Sequence, residues 1–235
     1  MFTPFGLWSG RGKLLPECSL FCILCESVLS EFMANNLSDL GKINIDAQKV
    51  LARLGYAKGK TIIDAKMARM IEAETQTALQ LINPKHVIAF SSIKRVGEKS
   101  LLLDPGFEIN SGDIAKLLQN CAKAYGIAVT IGPFLEEKRS AYVSGNETAR
   151  AVVLDAIGSV AAEQLAEMAQ AQIREEAGKE GLTITRRFSP GYGDWAIESQ
   201  KDFLKWLGAG NIGINLNANF QMIPEKSVSA IMGAK

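Results

Sequence analysis

The sequence predicts an α+β protein in which helices flank a largely antiparallel sheet. Segments with apolar residues at helical spacing alternate with short runs of alternating or β-branched residues. Helices and strands are mixed without a strict βαβ rhythm and without internal repeats, which favours α+β over a parallel α/β fold. A glycine-rich phosphate loop is also missing from the sequence, which argues against kinases and dehydrogenases.

The composition is that of an ordinary globular protein. Of 235 residues, 47% are hydrophobic and 22% are charged, enough to bury one large core or two modest ones. Lysine and arginine number 26 against 25 aspartates and glutamates, so the net charge of +1 gives no general attraction to nucleic acid or anionic lipid. We therefore expect neither a nucleic-acid nor a membrane partner.

Residues 1–42 read as an atypical leader, and residues 43–235 as the folded domain. The leader has early glycines, a proline and aromatics, then an apolar stretch broken by three glutamates that is too short and too charged to span a bilayer. Met33 precedes a polar segment and suits a start of translation. We expect the leader to be disordered. Residues 1–32 are alternatively an extension upstream of a true start at Met33.

The cysteines leave one alternative open. Cys18, Cys22 and Cys25 have the C-x-x-x-C-x-x-C spacing of radical S-adenosylmethionine enzymes, but no strand precedes them and no repeated strand and helix units follow. Cys121 falls at helical spacing with apolar neighbours and reads as a buried thiol. No disulfide framework is implied, which favours the cytoplasm. The single histidine, His86, reads as a structural strand residue, so no metal site is predicted in the domain.

Capping residues and helix breakers predict the helices in order. The predicted helices are a short one from Asp46 to Gly55, one from Asp64 to Ile82, one from Ser111 to Gly126, one opening at Pro133, a long one over residues 147–177, and "AIESQKDFLKWLG". The predicted strands are "HVIAFSSI", "KSLLLD", "IAVTIG", "LTITRRF" and two or three within the last twenty-odd residues.

The segment "RRFSPGYGDW", residues 186–195, is the candidate ligand loop. A strand ending in Arg187 would place a fixed cation beside glycine backbone that a ligand can approach closely. A guanidinium pairs with a carboxylate through two parallel bonds, and Tyr192 and Trp195 offer aromatic faces. The combination suits a small zwitterionic ligand that carries a ring. A plain Pro-Gly turn explains the same residues.

The sequence resembles the activation domain of cobalamin-dependent methionine synthase. "RFSPGY" fits the Arg-x-x-x-Gly-Tyr motif of that family, "LDAIGSVAAEQLAEMAQAQIREEA" resembles its long helix, and "MIPEKSVSAIMG" its closing strand segment. Upstream, "NIDAQKVLARLGY", "INSGDIAKLLQNCAKAYGIAVTIG" and "FLEEKRS" resemble short, stand-alone members of the family. The resemblance covers residues 43–233 and excludes the leader.

The resemblance implies a module that binds S-adenosylmethionine and supports methionine biosynthesis. Such modules hold the sulfonium methyl group for reductive methylation of cob(II)alamin, which a partner protein carries and a flavodoxin-like donor reduces. By this likeness Arg187 binds the methionyl carboxylate. The adenosyl site is shaped by the Tyr192 ring and by the backbone of Ser189, Pro190 and Gly191. Glu163 meets the ligand's amino group or offsets the sulfonium charge.

The sequence has no methyltransferase, folate-binding or cobalamin-binding module, so it is not a complete methionine synthase. We expect a component that acts in trans on a cobalamin-binding methionine synthase or another corrinoid methyltransferase. Two alternatives stay open: a docking protein that grips a corrinoid methyltransferase without catalysis, and a radical S-adenosylmethionine iron–sulfur enzyme that uses the leader cysteines.

Overall fold

A computed structural model describes residues 42–57 and 61–235 of the chain. Its helices are α1 (Ala47–Arg53), α2 (Ala65–Leu81), α3 (Gly112–Leu118), α4 (Phe134–Ser144), α5 (Thr148–Lys179) and α6 (Gln200–Leu207). Its strands are β1 (Lys85–Val96), β2 (Ser100–Leu103), β3 (Phe107–Asn110), β4 (Lys123–Thr130), β5 (Asn215–Leu216), β6 (Met222–Ile223) and β7 (Ser227–Ala234). Short 3₁₀ turns at Ile197–Ser199 and Ala209–Ile212 flank α6.

Five strands form one antiparallel sheet in the order β3-β2-β1-β4-β7. Strand β4 is an interior strand and pairs over its whole length with both β1 and β7. The outer edge of β7 is partly covered by an irregular segment, which pairs through Ile184 with Ala234 and through Phe188 with Ile231. Backbone pairing along this edge ends at Phe188, so the first residues of β7 have an edge open to other groups.

Each face of the sheet is covered by its own apolar core. On one face, Tyr125, Ile127 and Val129 of β4 pack with α1, α2, α4 and the long helix α5. On the other, Ala124 and Ala128 of β4 pack with α3, α6 and the strands β1 to β3. Because side chains of a strand alternate between faces, the two cores require β4 to be apolar along its whole length.

Helices α2, α4 and α5 are joined by a buried ionic cluster. The Glu74 carboxylate, whose residue is 1% exposed, accepts from Arg150 Nε at 2.6 Å and from the Tyr142 hydroxyl at 3.0 Å. The Arg150 guanidinium also lies 4.2 Å from the Tyr142 ring centre and bonds Glu147 at 2.6 Å. Burial and the Glu74 hydrogen bond raise the pKa of Tyr142. The cluster fixes the helix that carries Glu163.

The predicted fold class is confirmed, with three corrections to its elements. The helix predicted from Ser111 to Gly126 ends at Leu118, and β4 begins at Lys123. The "AKAYG" segment is a strand because β1 and β7 offer it a ladder on each side, which outweighs its helical spacing. Cys121 is buried as predicted, but in the turn between the two elements, where burial raises its pKa.

The other two corrections concern strands. "LTITRRF" forms only two isolated bridges instead of a regular strand, and β3 was not predicted. Residues 1–41 of the leader, with Cys18, Cys22 and Cys25, lie outside the described residues, so the predictions made for them stay predictions. In the described part of the chain, no helix has both the length and the apolar character needed to cross a membrane.

Candidate functional site

The candidate ligand loop is a tight turn with its own backbone hydrogen bonds. Gly191 N–H donates to the Trp195 carbonyl at 2.7 Å, and Trp195 N–H donates to the Tyr192 carbonyl at 3.0 Å. Gly191 and Gly193 have φ of +90° and +54°, the left-handed region that glycine tolerates best. The loop therefore folds back on itself directly after its bridge to β7.

Asp194 attaches this loop to the N-terminus of α3. Its carboxylate accepts from Gly112 N–H at 2.8 Å, from Asp113 N–H at 3.2 Å and from the Ser111 hydroxyl. Asp113 returns the contact by accepting from Asp194 N–H at 3.2 Å. These bonds, the Ser111 hydroxyl first, lower the pKa of Asp194, because each stabilises the ionised form. The loop is thus fixed to the body of the protein at its far end.

The near end of the loop is joined to β7 and α6 by buried polar contacts. The Ser189 hydroxyl donates to the Ser229 carbonyl at 2.6 Å, where regular backbone pairing has ended. The Gln200 side-chain amide donates to the Ser229 hydroxyl at 2.8 Å. Gln200 and Ser229 are each 2% exposed. Ser229 therefore connects the loop and the first turn of α6 to one position of the strand.

A cavity of about 570 Å³ opens between the loop, β7, α5 and the β5–β6 hairpin. A volume of this size is within the range of small-molecule sites. Its lining residues are Glu163, Arg186, Arg187, Phe188, Ser189, Pro190, Tyr192, Ile197, Gln200, Phe220, Gln221, Met222, Ser227, Val228, Ser229 and Ala230. The cavity lies at the open edge of β7, where groups from both faces of the sheet meet.

Opposite charges face each other across one wall of this cavity. The Arg187 guanidinium donates to the Glu163 carboxylate, and their side chains are 19% and 46% exposed. Arg187 lies next to Phe188, at the end of the segment that bridges to β7, whereas Glu163 lies on α5. The neighbouring Arg186 is exposed and lies over the Phe188 ring at 5.2 Å. A cation and an anion held this close can recognise the two charges of a zwitterion.

The aromatic residues of the loop differ in their access to the cavity. Tyr192 lines it and is 68% exposed. Trp195, which the sequence offered as a second ligand face, is 1% exposed and packs edge-on against Phe203 at 5.1 Å. That expectation was wrong because Trp195 fills the core beneath α6. Phe220, at the tip of the β5–β6 hairpin with φ of +58°, supplies an aromatic wall instead.

A charged network behind the cavity holds the strand that forms its floor. Lys226 Nζ donates to Ser159 at 2.9 Å and lies 2.8 Å from Asp155, which also accepts from Arg139 at 2.8 Å. Burial would raise the pKa of Asp155, but the hydrogen bonds from Lys226 and Arg139 outweigh it and lower that pKa. The start of β7 is therefore attached to α5 at Asp155 and Ser159, about two turns and one turn before Glu163.

Five of the six residues that the sequence singled out line this cavity: Glu163, Arg187, Ser189, Pro190 and Tyr192. The sixth, Gly191, lies in the same loop but is not part of the lining. Gln200, Phe220 and Ser229 were not predicted. Gln200 could have been found, because it shares a helical face with Phe203, Leu204 and Leu207, where an apolar residue is expected. Among the described residues, no group of three or more metal-binding side chains is placed to hold an ion.

The chain is similar to one known protein family and to a solved structure. The family model of the vitamin B12 dependent methionine synthase activation domain matches residues 112–235. A solved structure, "Crystal Structure of the MetH Reactivation Domain bound to AdoHcy", is similar with a TM-score of 0.63 and 16% sequence identity, over 86% of this chain and 76% of that chain. At that identity the likeness concerns the fold. No curated protein matches.

Proposed function

The chain belongs to the activation-domain family of vitamin B12-dependent methionine synthase, and from that premise we propose that it binds S-adenosylmethionine and supports reactivation of a cobalamin enzyme in trans. The observation that carries the proposal is the Arg187–Glu163 pair in the wall of the β7-edge cavity. The methionyl part of S-adenosylmethionine is a zwitterion that also carries a sulfonium charge, so it needs both signs of charge at its site.

The Arg187 guanidinium would take the ligand carboxylate in a two-pronged contact, which its planar fork matches. Glu163, which is half exposed on α5, would meet the ammonium or sulfonium charge. The Tyr192 and Phe220 rings and the backbone around Gly191 would hold the adenosyl part. The residues present therefore fit the charge and ring content of the ligand.

The protein's contribution to catalysis would be placement. A ligand held at the carboxylate and at the ring presents its methyl group in one orientation, so that transfer to the partner's cobalamin proceeds from a fixed geometry. The cobalamin belongs to the partner and supplies the methyl acceptor once a flavodoxin-like donor has given it one electron. Methyl transfer leaves S-adenosylhomocysteine in the cavity. The proposed partner is a methionine synthase or another corrinoid methyltransferase in the cytoplasm.

A reconstitution tests this proposal. The protein is mixed with a methionine synthase that lacks its own activation domain and is loaded with cob(II)alamin; a reductant and S-adenosylmethionine are added, and methylcobalamin is followed by absorbance. We expect methylcobalamin with the wild-type protein, much less with Arg187→Gln, and an undiminished yield with Arg174→Gln, which changes an exposed arginine of α5 outside the cavity lining. Binding of the two proteins without any methylcobalamin would contradict the proposal and favour the docking alternative.

A further inference from the structure

Gln200 is a buried polar residue on an otherwise apolar helix face. It begins α6 and lies on the side that carries Phe203, Leu204 and Leu207 into the core. A buried amide costs free energy unless its donor and its acceptor both find partners. The amide therefore needs an explanation that packing of α6 does not give.

Only half of this amide is satisfied within the described residues. Its nitrogen donates to the Ser229 hydroxyl at 2.8 Å. Its oxygen takes part in no hydrogen bond among the described residues and is open to the cavity, unlike the oxygens of Gln164 and Gln172, which are enclosed without a partner. Gln200 lines the β7-edge cavity although only 2% of it is exposed. The amide oxygen is thus an acceptor held at the cavity with nothing from the described chain to bind.

Ser229 supplies the complementary group. Its hydroxyl accepts from Gln200, which leaves the hydroxyl proton free to donate, and its carbonyl accepts from Ser189. Ser229 also lines the cavity and is fixed in the strand by pairing with Ala128 of β4. The two residues therefore present one acceptor and one donor side by side, and neither side chain can turn freely.

The geometry points to Gln200 and Ser229 as the pair that reads the adenine base, and this inference rests on the proposed function. The 6-amino group of adenine would donate to Gln200 Oε1, and N7 of the same ring would accept from the Ser229 hydroxyl. Adenine offers this donor and acceptor next to each other, and amide side chains recognise it through them elsewhere. Arg187 and Glu163, on the α5 side of β7, then hold the other end of the ligand. The ligand class selected is an adenosyl sulfonium or thioether.

The test compares two ligands that differ at one atom of the base. Isothermal titration of the full chain measures binding of S-adenosylhomocysteine and of S-inosylhomocysteine, in which an oxygen replaces the 6-amino group. A site built to hydrogen-bond a group strongly rejects the analogue that lacks it. We expect the wild-type protein to prefer the adenosyl ligand on the order of 10- to 100-fold, since the inosyl oxygen would face Gln200 Oε1.

Gln200→Leu should weaken binding of the adenosyl ligand. It should also reduce the preference for the adenosyl over the inosyl ligand to about threefold or less, because the hydrogen bond that distinguishes them is gone. Ser229→Ala should reduce the preference as well, and it tests the inference if the leucine variant does not fold. Gln172→Leu, in a glutamine of α5 outside the cavity lining, is the matched control and should keep the wild-type preference.

Three results would overturn the inference. The first is tight adenosyl binding by the wild-type protein with no preference over the inosyl ligand, which leaves the proposed function standing. The second is an equal loss of both ligands in Gln200→Leu. The third is a loss of affinity in Gln200→Leu that is seen with the adenosyl ligand but not with its 2′-deoxyadenosyl analogue. That result would mean that the amide binds the ribose hydroxyl and not the base. Failure of the wild-type protein to bind S-adenosylhomocysteine at all would instead contradict the proposed function.

Discussion

Gly193→Ala is expected to unfold the candidate ligand loop. Gly193 has φ of +54°, and a Cβ there would lie 2.2 Å from Asp113 Oδ2 and 3.1 Å from Phe188 Cζ. Asp113 cannot yield without losing its bond from Asp194 N–H, which holds the loop to α3. Left-handed backbone costs a residue with a side chain roughly 1–2 kcal/mol, and overpacking adds roughly 1–3 kcal/mol. The free energy of unfolding should therefore fall by about 2–5 kcal/mol.

Gly213→Ala is the matched control for this substitution. Gly213 has φ of +85°, but an added Cβ would meet nothing within 4 Å. It should cost only the backbone strain, roughly 1–2 kcal/mol. The Gly193 variant should thus melt about 2–12 °C below the Gly213 variant, at roughly 2–4 °C per kcal/mol for a domain of this size. Urea and thermal unfolding measure both. Equal destabilisation by the two substitutions would refute the contact with Asp113.

Two further predictions concern the groups that hold the site in place. Arg150→Ala should lower the free energy of unfolding by about 1.5–3 kcal/mol in urea titrations, because it removes a charged hydrogen-bond partner from the buried Glu74 carboxylate while the 39% exposed Arg150 position lets water replace it. A double Glu74→Leu, Arg150→Leu variant that is no more stable than the single one would contradict this. Because the folded-state pKa of Asp194 is lowered, its stabilising contribution is present above its unfolded pKa of about 4 and is lost as the pH falls through the folded value. Wild-type protein should therefore lose more stability than Asp194→Asn between pH 7 and pH 3, and parallel pH profiles would contradict the role of Asp194.

Three of the helix starts were predictable because each depends on a local capping residue. The side chains of Asp46, Asp64 and Ser111 accept from backbone N–H groups of the helices they begin, as their positions predicted. Strand β4 was partly missed because it is an interior strand. Both of its faces are buried, so it lacks the apolar and polar alternation that marks a half-exposed strand.

Apart from Glu163, which the resemblance of the long helix supplied, the candidate site was predictable only where it is contiguous in sequence. Arg187, Ser189, Pro190, Gly191 and Tyr192 belong to one loop, and the family motif identifies them. Ser229 and Phe220 reach the cavity through the pairing of β7 with β4 and through the β5–β6 hairpin, neither of which a local pattern specifies. Trp195 was wrongly predicted to face the ligand because the side chain is buried by its packing against Phe203 of α6, which the loop sequence does not show.

The central claim is that Arg187 and its cavity bind S-adenosylmethionine, and calorimetric titration of the wild-type, Arg187→Gln and Arg174→Gln proteins with this ligand tests it most directly. Loss of a charge-assisted contact costs roughly 1.5–3 kcal/mol, so Arg187→Gln should bind on the order of 10- to 100-fold more weakly, while Arg174→Gln binds as the wild type does. Absence of binding to the wild-type protein, or equal affinity of all three proteins, would contradict the claim.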